Sequence, residues 1–182
     1  SPDDKDAFTG FSPLWAARSF ALIDRAAQAL SVEVEGLSQL PKGRALIVAN
    51  HGFGWEAVFA MSAIYRNTQR PLWALGEHLW WRIPFLRRLA AALGTVDGTP
   101  DNVARLLDSD QLVLVLPGGL REAVKPAALR YHLLWGHRYG FIKAALRSRA
   151  PILPMALLGG DELFDFVGDP YERGRRWLRL GN

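Results

Sequence analysis

Two short, unbroken apolar runs constrain the fold of this chain more than any other feature of its sequence. They are ALIVA, Ala45–Ala49, which follows Pro41-Lys42-Gly43, and LVLVL, Leu112–Leu116, which ends at Pro117-Gly118-Gly119. Apolar runs of about four to eight residues between turn residues are typical of strands that are buried on both faces. Such strands belong to parallel sheets covered by helices, so the two runs predict a layered α/β fold.

Further strand-like and helix-like segments alternate along the chain. Ser12-Pro13 and Thr99-Pro100 each place a capping residue before a proline, as at the start of a helix. We therefore expect one α/β domain, residues 31–182, with a mostly parallel central sheet flanked by helices, preceded by a helical segment, residues 1–30. The other predicted segments are helices from Ser12 to Leu30, from Trp55 to Tyr65 and over Tyr139–Arg147, a helical pattern over Leu79–Leu93, strands at Val32–Glu35 and Leu72–Leu75, and a strand or extended segment at Pro151–Leu157.

Composition and motif content exclude several classes of function. The 182 residues include no cysteine, which rules out disulfides, thiolate metal sites and a cysteine nucleophile. Lys and Arg total 22 against 18 Asp and Glu, a mild preference for anionic partners and not the signature of a nucleic-acid-binding protein. The sequence also contains no HExxH, GxSxG, Walker A or GxGxxG motif. We predict no metal site and no nucleic-acid partner.

Two loops with polar or glycine residues follow the two buried strands. Asn50-His51 comes after the first strand, and Pro117–Glu122 comes after the second. Ligands of parallel sheets gather at the carboxyl ends of the strands, so we expect a binding site where these loops meet. Gly118-Gly119 would let the backbone approach a ligand closely, and Arg121 offers a planar guanidinium for a phosphate or carboxylate.

His51 and Glu56 are a candidate catalytic pair. Residues five apart on one helix point about 140° away from each other, so the pair requires His51 to precede the helix that carries Glu56. Gly52 and Gly54 make that geometry accessible, and the carboxylate could then orient the imidazole as a general base. Considered alone, the spacing is more typical of a capping histidine and a solvated glutamate.

Together these segments resemble the PlsC-type glycerolipid acyltransferase superfamily. Its first block, a histidine, four residues and an acid, is matched by His51–Glu56, here in the form HX4E. Its Pro-x-Gly-x-Arg turn is matched by Pro117–Arg121 and its Pro-Ile-x-Pro segment by Pro151–Pro154. The order and spacing agree over Val32–Glu162, and PGGLREA with the later LWGHRYGF is most similar to the type-2 diacylglycerol acyltransferase branch.

The chain departs from the superfamily pattern at the acidic and polar positions of these blocks. Glu56 replaces the more common aspartate, Gly118 stands where phospholipid-making members usually carry glutamate, and Leu120 stands where they carry threonine. Neutral glycerolipids are therefore at least as plausible an acceptor as lysophosphatidic acid.

The resemblance implies a glycerol-3-phosphate acyltransferase-like fold and an O-acyltransferase without a metal or bound cofactor. It implies acyl-CoA or acyl-carrier protein as donor, a glycerolipid or lysophospholipid as acceptor, His51 as base and Glu56 as its orienting acid. Two alternatives remain open: a thioesterase or lipid esterase that transfers the acyl group to water, and a non-catalytic lipid-binding module. The residues expected to bind substrate are Asn50, Pro117, Gly118, Gly119, Arg121 and Glu122.

The segment Leu79–Leu93 is the expected contact with a membrane surface. It contains three arginines and no acid among apolar residues at helical spacing, a combination that suits a membrane–water interface. No apolar run approaches the ~20 residues of a spanning helix, and the polar start SPDDKDAFTG is unlike a signal peptide. We expect a cytoplasmic, membrane-associated protein without a transmembrane segment, and further chain beyond Asn182, because the sequence ends sooner than the resemblance implies.

Overall fold

In the computed structural model, the predicted strands and helices form a parallel sheet with helices on both faces, which confirms the α/β fold. The structure describes residues 10–81, 83–163, 166 and 168–177. In chain order its elements are α1 (Pro13–Ala29), β1 (Ala45–Ala49), α2 (Trp55–Thr68), β2 (Leu72–Gly76), α3 (His78–Trp81), α4 (Pro84–Ala92), β3 (Thr95–Asp97), α5 (Pro100–Asp108), β4 (Leu112–Val115), α6 (Gly119–Ala123), α7 (Gly140–Ser148), β5 (Ile152–Met155) and α8 (Pro170–Trp177).

The strand order within the described part of the chain is β3-β2-β4-β1-β5, and each neighbouring pair is parallel. The two apolar runs therefore become adjacent central strands, with Val48 of β1 aligned to Val115 of β4. Since both strands run in the same direction, the loops that follow them leave the sheet side by side. This adjacency brings the two sequence-predicted loops together.

Burial on both faces explains why β1 is apolar at every position. Ala45, Ile47 and Ala49 pack against α1 and α2, whereas Leu46 and Val48 pack against α5 and α7. All five are at most 5% exposed. Burying a Leu, Ile or Val side chain stabilises a fold by about 1.5–3 kcal/mol, so both helical layers are held to the sheet largely by this strand and β4.

The N-terminal helical segment belongs to the same core. Ala16 and Phe20 of α1 are buried against β1 and α2, with exposed fractions of 0% and 3%. Residues 1–9 of the predicted segment, like residues 178–182 at the other end of the predicted domain, lie outside the described residues. The described part of the N-terminal segment is helix α1, which packs in the core of the fold.

Two sequence predictions differ from the structure. Val32–Glu35 is not a strand. Its residues are exposed and do not pair with any described strand, so the alternating pattern has no sheet to lie against. The helical pattern over Leu79–Leu93 forms two helices, α3 and α4, rather than one. Pro84 causes the break, because the residue before a proline is driven toward extended backbone, and Ile83 has φ −108° and ψ 107°.

Among the described helices, none has both the length and the hydropathy needed to cross a membrane.

A fully buried carboxylate joins three segments at the carboxyl edge of the sheet. Glu122 of α6 has no exposed surface. Its Oε1 accepts a hydrogen bond from the backbone N–H of His51 (2.8 Å), and its Oε2 accepts one from the backbone N–H of Leu134 (2.9 Å). Hydrogen bonds to a carboxylate are about twice as strong as neutral ones. Glu122 therefore fixes the loops after β1 and β4 and the segment around Leu134 relative to one another.

Gly118 leaves the space that the Glu122 side chain fills. A Cβ atom at Gly118 would overlap both the Cβ and the carboxylate of Glu122. The space that a side chain at Gly118 would need is therefore filled by a carboxylate from four residues later.

Asn50 provides a second tie between strand ends. Its Nδ2 donates to the carbonyl oxygen of Leu157 and its Oδ1 accepts from the N–H of the same residue, both at 2.7 Å. This two-point contact joins the end of β1 to the segment after β5.

We expect Glu122→Gln to lower the free energy of unfolding by about 2–3 kcal/mol. The amide keeps one acceptor but turns an NH₂ group toward a backbone N–H, so two buried donors lose their partners. Urea unfolding followed by tryptophan fluorescence measures the change. Glu33→Gln, at an exposed position, is the matched control and should change stability by less than about 0.5 kcal/mol. Equal unfolding midpoints for Glu122→Gln and the wild type would contradict this structural role.

Candidate active site

His51 lies in the loop between β1 and α2, outside the helix that carries Glu56. Helix α2 begins at Trp55, and the capping residue Gly54 has a left-handed backbone with φ +111°. A Cβ atom at Gly54 would lie 3.6 Å from Cε1 of His51, so the imidazole packs directly over this glycine. The structure thus meets the geometric condition that a five-residue spacing imposes on a histidine–glutamate pair.

Glu56 has one oxygen occupied and one without a partner. Its Oε2 accepts a hydrogen bond from the N–H of Gly54 at 3.0 Å, which caps the start of α2. Within the described part of the chain, Oε1 of Glu56 and Nδ1 of His51 are both buried and make no hydrogen bond. An unsatisfied buried polar group costs about 1–3 kcal/mol, and these two are chemically complementary, a donor and an acceptor.

Two glycines enclose the Glu56 carboxylate. A Cβ atom at Gly52 would overlap Oε1 of Glu56 and lie 2.9 Å from the Cα of Gly160. A Cβ atom at Gly160 would lie 3.0 Å from the same oxygen and 3.1 Å from the Cα of Gly52. The loop after β5 therefore packs backbone to backbone on the loop after β1, and this contact shields the carboxylate from water.

Burial lowers the pKa of His51 below its ordinary value of 6.5. The negative charges of Glu56, then Glu122, oppose this effect without reversing it. The imidazole is consequently neutral at physiological pH, which is the form that can accept a proton.

His51 opens onto a cavity of about 610 Å³ at the carboxyl edge of the sheet. Apolar side chains of α2 and α5, among them Met61 and Val103, form much of its wall, and Val115 contributes from the end of β4. Cavities of this size, with mostly apolar walls and a few polar groups, are typical of sites for small-molecule ligands.

Of the sequence-predicted binding residues in the second loop, some line the cavity and others do not. Pro117 and Gly119 line the cavity. The N–H of Gly119 donates to the carbonyl oxygen of Leu116 (3.0 Å) and is therefore engaged within the turn. Arg121 is exposed on α6 and does not line the cavity.

Asn50, Gly118 and Glu122 form the frame of the site rather than its surface. Both polar atoms of Asn50 and both oxygens of Glu122 bond to backbone groups, and Gly118 is packed against Glu122. In this structure these three predicted binding residues hold the loops in place.

Three cations that the sequence pattern does not single out line the cavity, namely Arg138, Lys143 and Arg147. One Arg138 nitrogen, Nη1, donates to the carbonyl oxygens of Pro117 (2.9 Å) and Gly118 (2.5 Å). Lys143 and Arg147 are four residues apart and share one face of α7. Their spacing is visible in the sequence, but the packing of α7 beside the site is not.

A second histidine–acid pair lies outside the cavity lining. Nδ1 of His78 is 2.7 Å from Oδ2 of Asp97, a buried residue at the end of β3. The side chain of Asn102 donates to the backbone carbonyl of Asp97 at 3.0 Å. These contacts tie α3 and α5 to β3.

Similarity to known proteins covers most of the chain. The sequence profile of the family described as Acyltransferase matches residues 31–158. A Mus musculus protein, "DGAT1/2-independent enzyme synthesizing storage lipids", is 30% identical over 153 residues, which are 79% of this chain and 45% of that protein. The Homo sapiens protein of the same name is 30% identical over 154 residues, 79% of this chain and 46% of its own length. An uncharacterized protein of Mycobacterium tuberculosis is 32% identical over 143 residues, 76% of this chain and 40% of that protein.

The chain spans less than half the length of these curated relatives. No solved structure shows a significant match. The family match includes both strand-end loops and the parallel sheet that carries them. The chain belongs to the acyltransferase family.

Proposed function

We propose that this domain transfers a fatty acyl group from an acyl thioester to a hydroxyl group of a glycerolipid, with His51 as the general base. The observation that carries the proposal is the setting of His51: its Nδ1 and Oε1 of Glu56 are both buried without a partner, the charge of Glu56 acts on the imidazole, and the ring borders an apolar cavity. Membership of the acyltransferase family supports acyl transfer, and the names of the mouse and human relatives support a lipid product.

In the proposed reaction, the free ring nitrogen of neutral His51 removes the proton from the acceptor hydroxyl. The hydroxyl oxygen bonds to the carbonyl carbon of the thioester as this proton leaves. The tetrahedral intermediate then breaks its C–S bond, and the departing thiolate takes the proton from the imidazolium. The products are an ester and a free thiol, and His51 returns to its neutral form.

Glu56 has the role of the orienting acid in this scheme. We propose that Nδ1–H of His51 donates to Oε1 of Glu56 when substrate is bound, which satisfies both buried groups at once. The contact selects the tautomer that leaves the other nitrogen basic, and the carboxylate stabilises the imidazolium as it forms. The donor expected in the cavity is acyl-CoA or acyl-carrier protein.

His51→Ala should reduce ester formation by about 10²–10⁴-fold, the usual contribution of a general base. The assay is incubation with labelled palmitoyl-CoA and, in turn, lysophosphatidic acid, monoacylglycerol, diacylglycerol and a long-chain alcohol. His78→Gln is the matched control, because His78 also pairs with a carboxylate but does not line the cavity.

Full activity of His51→Ala would show that the base is a different group. Release of free fatty acid at the same rate with and without acceptor, and no ester product, would identify the domain as a thioesterase instead.

The pH profile of acyl transfer should have an acid limb with its midpoint below 6.5, because burial lowers the pKa of His51. Glu56→Gln removes the negative charge that most opposes this effect, so the limb should move to still lower pH while the plateau rate falls. Initial rates of the two proteins between about pH 4.5 and 8 test both shifts. An acid limb above 6.5 in the wild type, or a limb that moves to higher pH in Glu56→Gln, would contradict the assignment.

We further propose that the domain contacts a membrane surface through the adjoining helices α1 and α4. The N–H of Ser12 at the start of α1 donates to the carbonyl oxygen of Ala92 at the end of α4 (3.3 Å), so the two helices meet. Their large exposed apolar side chains are Leu14, Trp15 and Leu22 on α1, and Phe85 and Leu89 on α4.

Charge on these helices also suits an anionic lipid surface. Helix α4 carries Arg87 and Arg88, both exposed, and no acid. The single acid of α1, Asp24, is paired with Arg66 at 2.9 Å. Arginine beside exposed apolar side chains favours interfacial binding to anionic lipids. Arg82 of the sequence-predicted interfacial segment lies outside the described residues, as do the side chains of Leu79, Trp80 and Leu86.

Phe85→Ser combined with Leu89→Ser should reduce co-sedimentation with vesicles of phosphatidylcholine and phosphatidylserine by about tenfold or more, because two large apolar side chains no longer enter the interface. Leu158→Ser is the matched control. Leu158 is 88% exposed and follows β5, at the opposite edge of the sheet from β3 and α4. Equal sedimentation of the double variant and the wild type would exclude this face as the contact.

A further inference from the structure

We infer that Arg138, Lys143 and Arg147 form a binding site for a phosphate ester at the rim of the cavity. The sequence pattern gives this role to Arg121, whereas the structure places Arg121 outside the cavity lining. The inference rests on the proposed function in one respect: it takes the phosphate ester to be part of a lipid acyltransfer substrate.

The charge of the cavity lining favours an anion. Three cations line the cavity against one carboxylate, that of Glu77. Three positive charges less one negative charge leave a formal excess of two positive charges, before any contribution from His51. All three cations are exposed at the rim of the cavity, where an anionic group of a ligand can reach them.

The cations of α7 are not used by the fold. Within the described residues, Lys143 and Arg147 form neither an ion pair nor a side-chain hydrogen bond, although both border the cavity. Arg66 and Arg70, by contrast, are held by the fold: Arg66 pairs with Asp24, and Arg70 donates to the carbonyl oxygens of Pro41, Gly43 and Asp110. Lys143 and Arg147 are exposed on one helical face at the rim of the cavity, so both can bind a ligand there without breaking a contact of the fold.

Arg138 supplies the third group and connects this site to the turn after β4. Its Nη1 is held by the carbonyl oxygens of Pro117 and Gly118, which fixes the guanidinium beside the cavity. A Cβ atom at Gly119 would lie 2.9 Å from the same nitrogen, so the glycine is what allows the guanidinium to approach the turn. A planar guanidinium and an ammonium group together match a phosphate, which offers several acceptor oxygens.

The ligand that fits both parts of the cavity is amphipathic, with an apolar chain against α2 and α5 and a phosphate ester at α7. Two substrates of the proposed reaction carry this chemistry. One is the acyl-CoA donor, through its nucleotide phosphates, and the other is a lysophosphatidic acid acceptor, through its headgroup. A neutral monoacylglycerol has the apolar chain without the phosphate and serves as the reference ligand.

Binding measured in the absence of turnover tests the inference. Palmitoyl-CoA, lysophosphatidic acid and monoacylglycerol are titrated into full-chain His51→Ala protein by calorimetry, alone and with Lys143→Met or Arg147→Met added. Each added substitution should weaken binding of the phosphate-bearing ligands by about three- to tenfold and leave monoacylglycerol unchanged. Lys42→Met is the matched control. It removes an exposed cation that precedes β1, at the amino ends of the strands and away from the cavity.

A loss confined to palmitoyl-CoA assigns the site to the donor, and one confined to lysophosphatidic acid assigns it to the acceptor. Unchanged affinities for both phosphate ligands, or a loss produced by Arg121→Met instead, would overturn the inference. Ester formation by the wild type is assayed separately. If the substitutions weaken binding but no ester forms, the proposed function is excluded and the phosphate site is supported. If ester forms but the substitutions leave binding unchanged, only the phosphate site is excluded.

Discussion

The buried carboxylate of Glu122 is the interaction on which the geometry at the carboxyl edge of the sheet depends. Where a parallel strand ends, its next N–H groups lose their ladder partners, and a buried N–H group must find another acceptor. Glu122 provides that acceptor for the N–H of His51, and it also accepts from the N–H of Leu134, twelve residues after Glu122 itself. The loop that carries His51, the glycine turn and the segment leading to the cationic helix α7 therefore share one anchor. Its position in turn requires Gly118, because any side chain there would occupy the same space.

This arrangement gives His51 a backbone held in place and a side chain left unsatisfied. The N–H of His51 is bonded, whereas its Nδ1 is buried without a partner in the described structure. Burial destabilises the imidazolium and lowers the pKa of His51, and the charges of Glu56 and Glu122 partly offset this lowering. A histidine in such a setting is neutral at physiological pH, and the nearby carboxylates stabilise its imidazolium form, as the proposed role of a general base requires.

The fold could be predicted from the sequence because ALIVA and LVLVL are apolar at every position, a pattern that only burial on both faces explains. The His51 loop could be located because it follows one of these strands. The failed prediction at Val32–Glu35 shows the limit of local pattern, since alternation marks a strand only where a neighbouring strand exists. The site was harder to predict. Glu122 and Arg121 are adjacent polar residues of one short helix, and only tertiary packing turns the first inward and the second outward.

The contact between Gly52 and Gly160 links the loop after β5 to the surroundings of His51 in the loop after β1. The two loops touch through their backbones with the Glu56 carboxylate between them, so a side chain at either position would separate the loops. Water would then reach Glu56, and its influence on His51 would weaken with the higher local dielectric. A side chain at Gly160 would therefore change the electrostatic environment of His51 indirectly, through the carboxylate of Glu56.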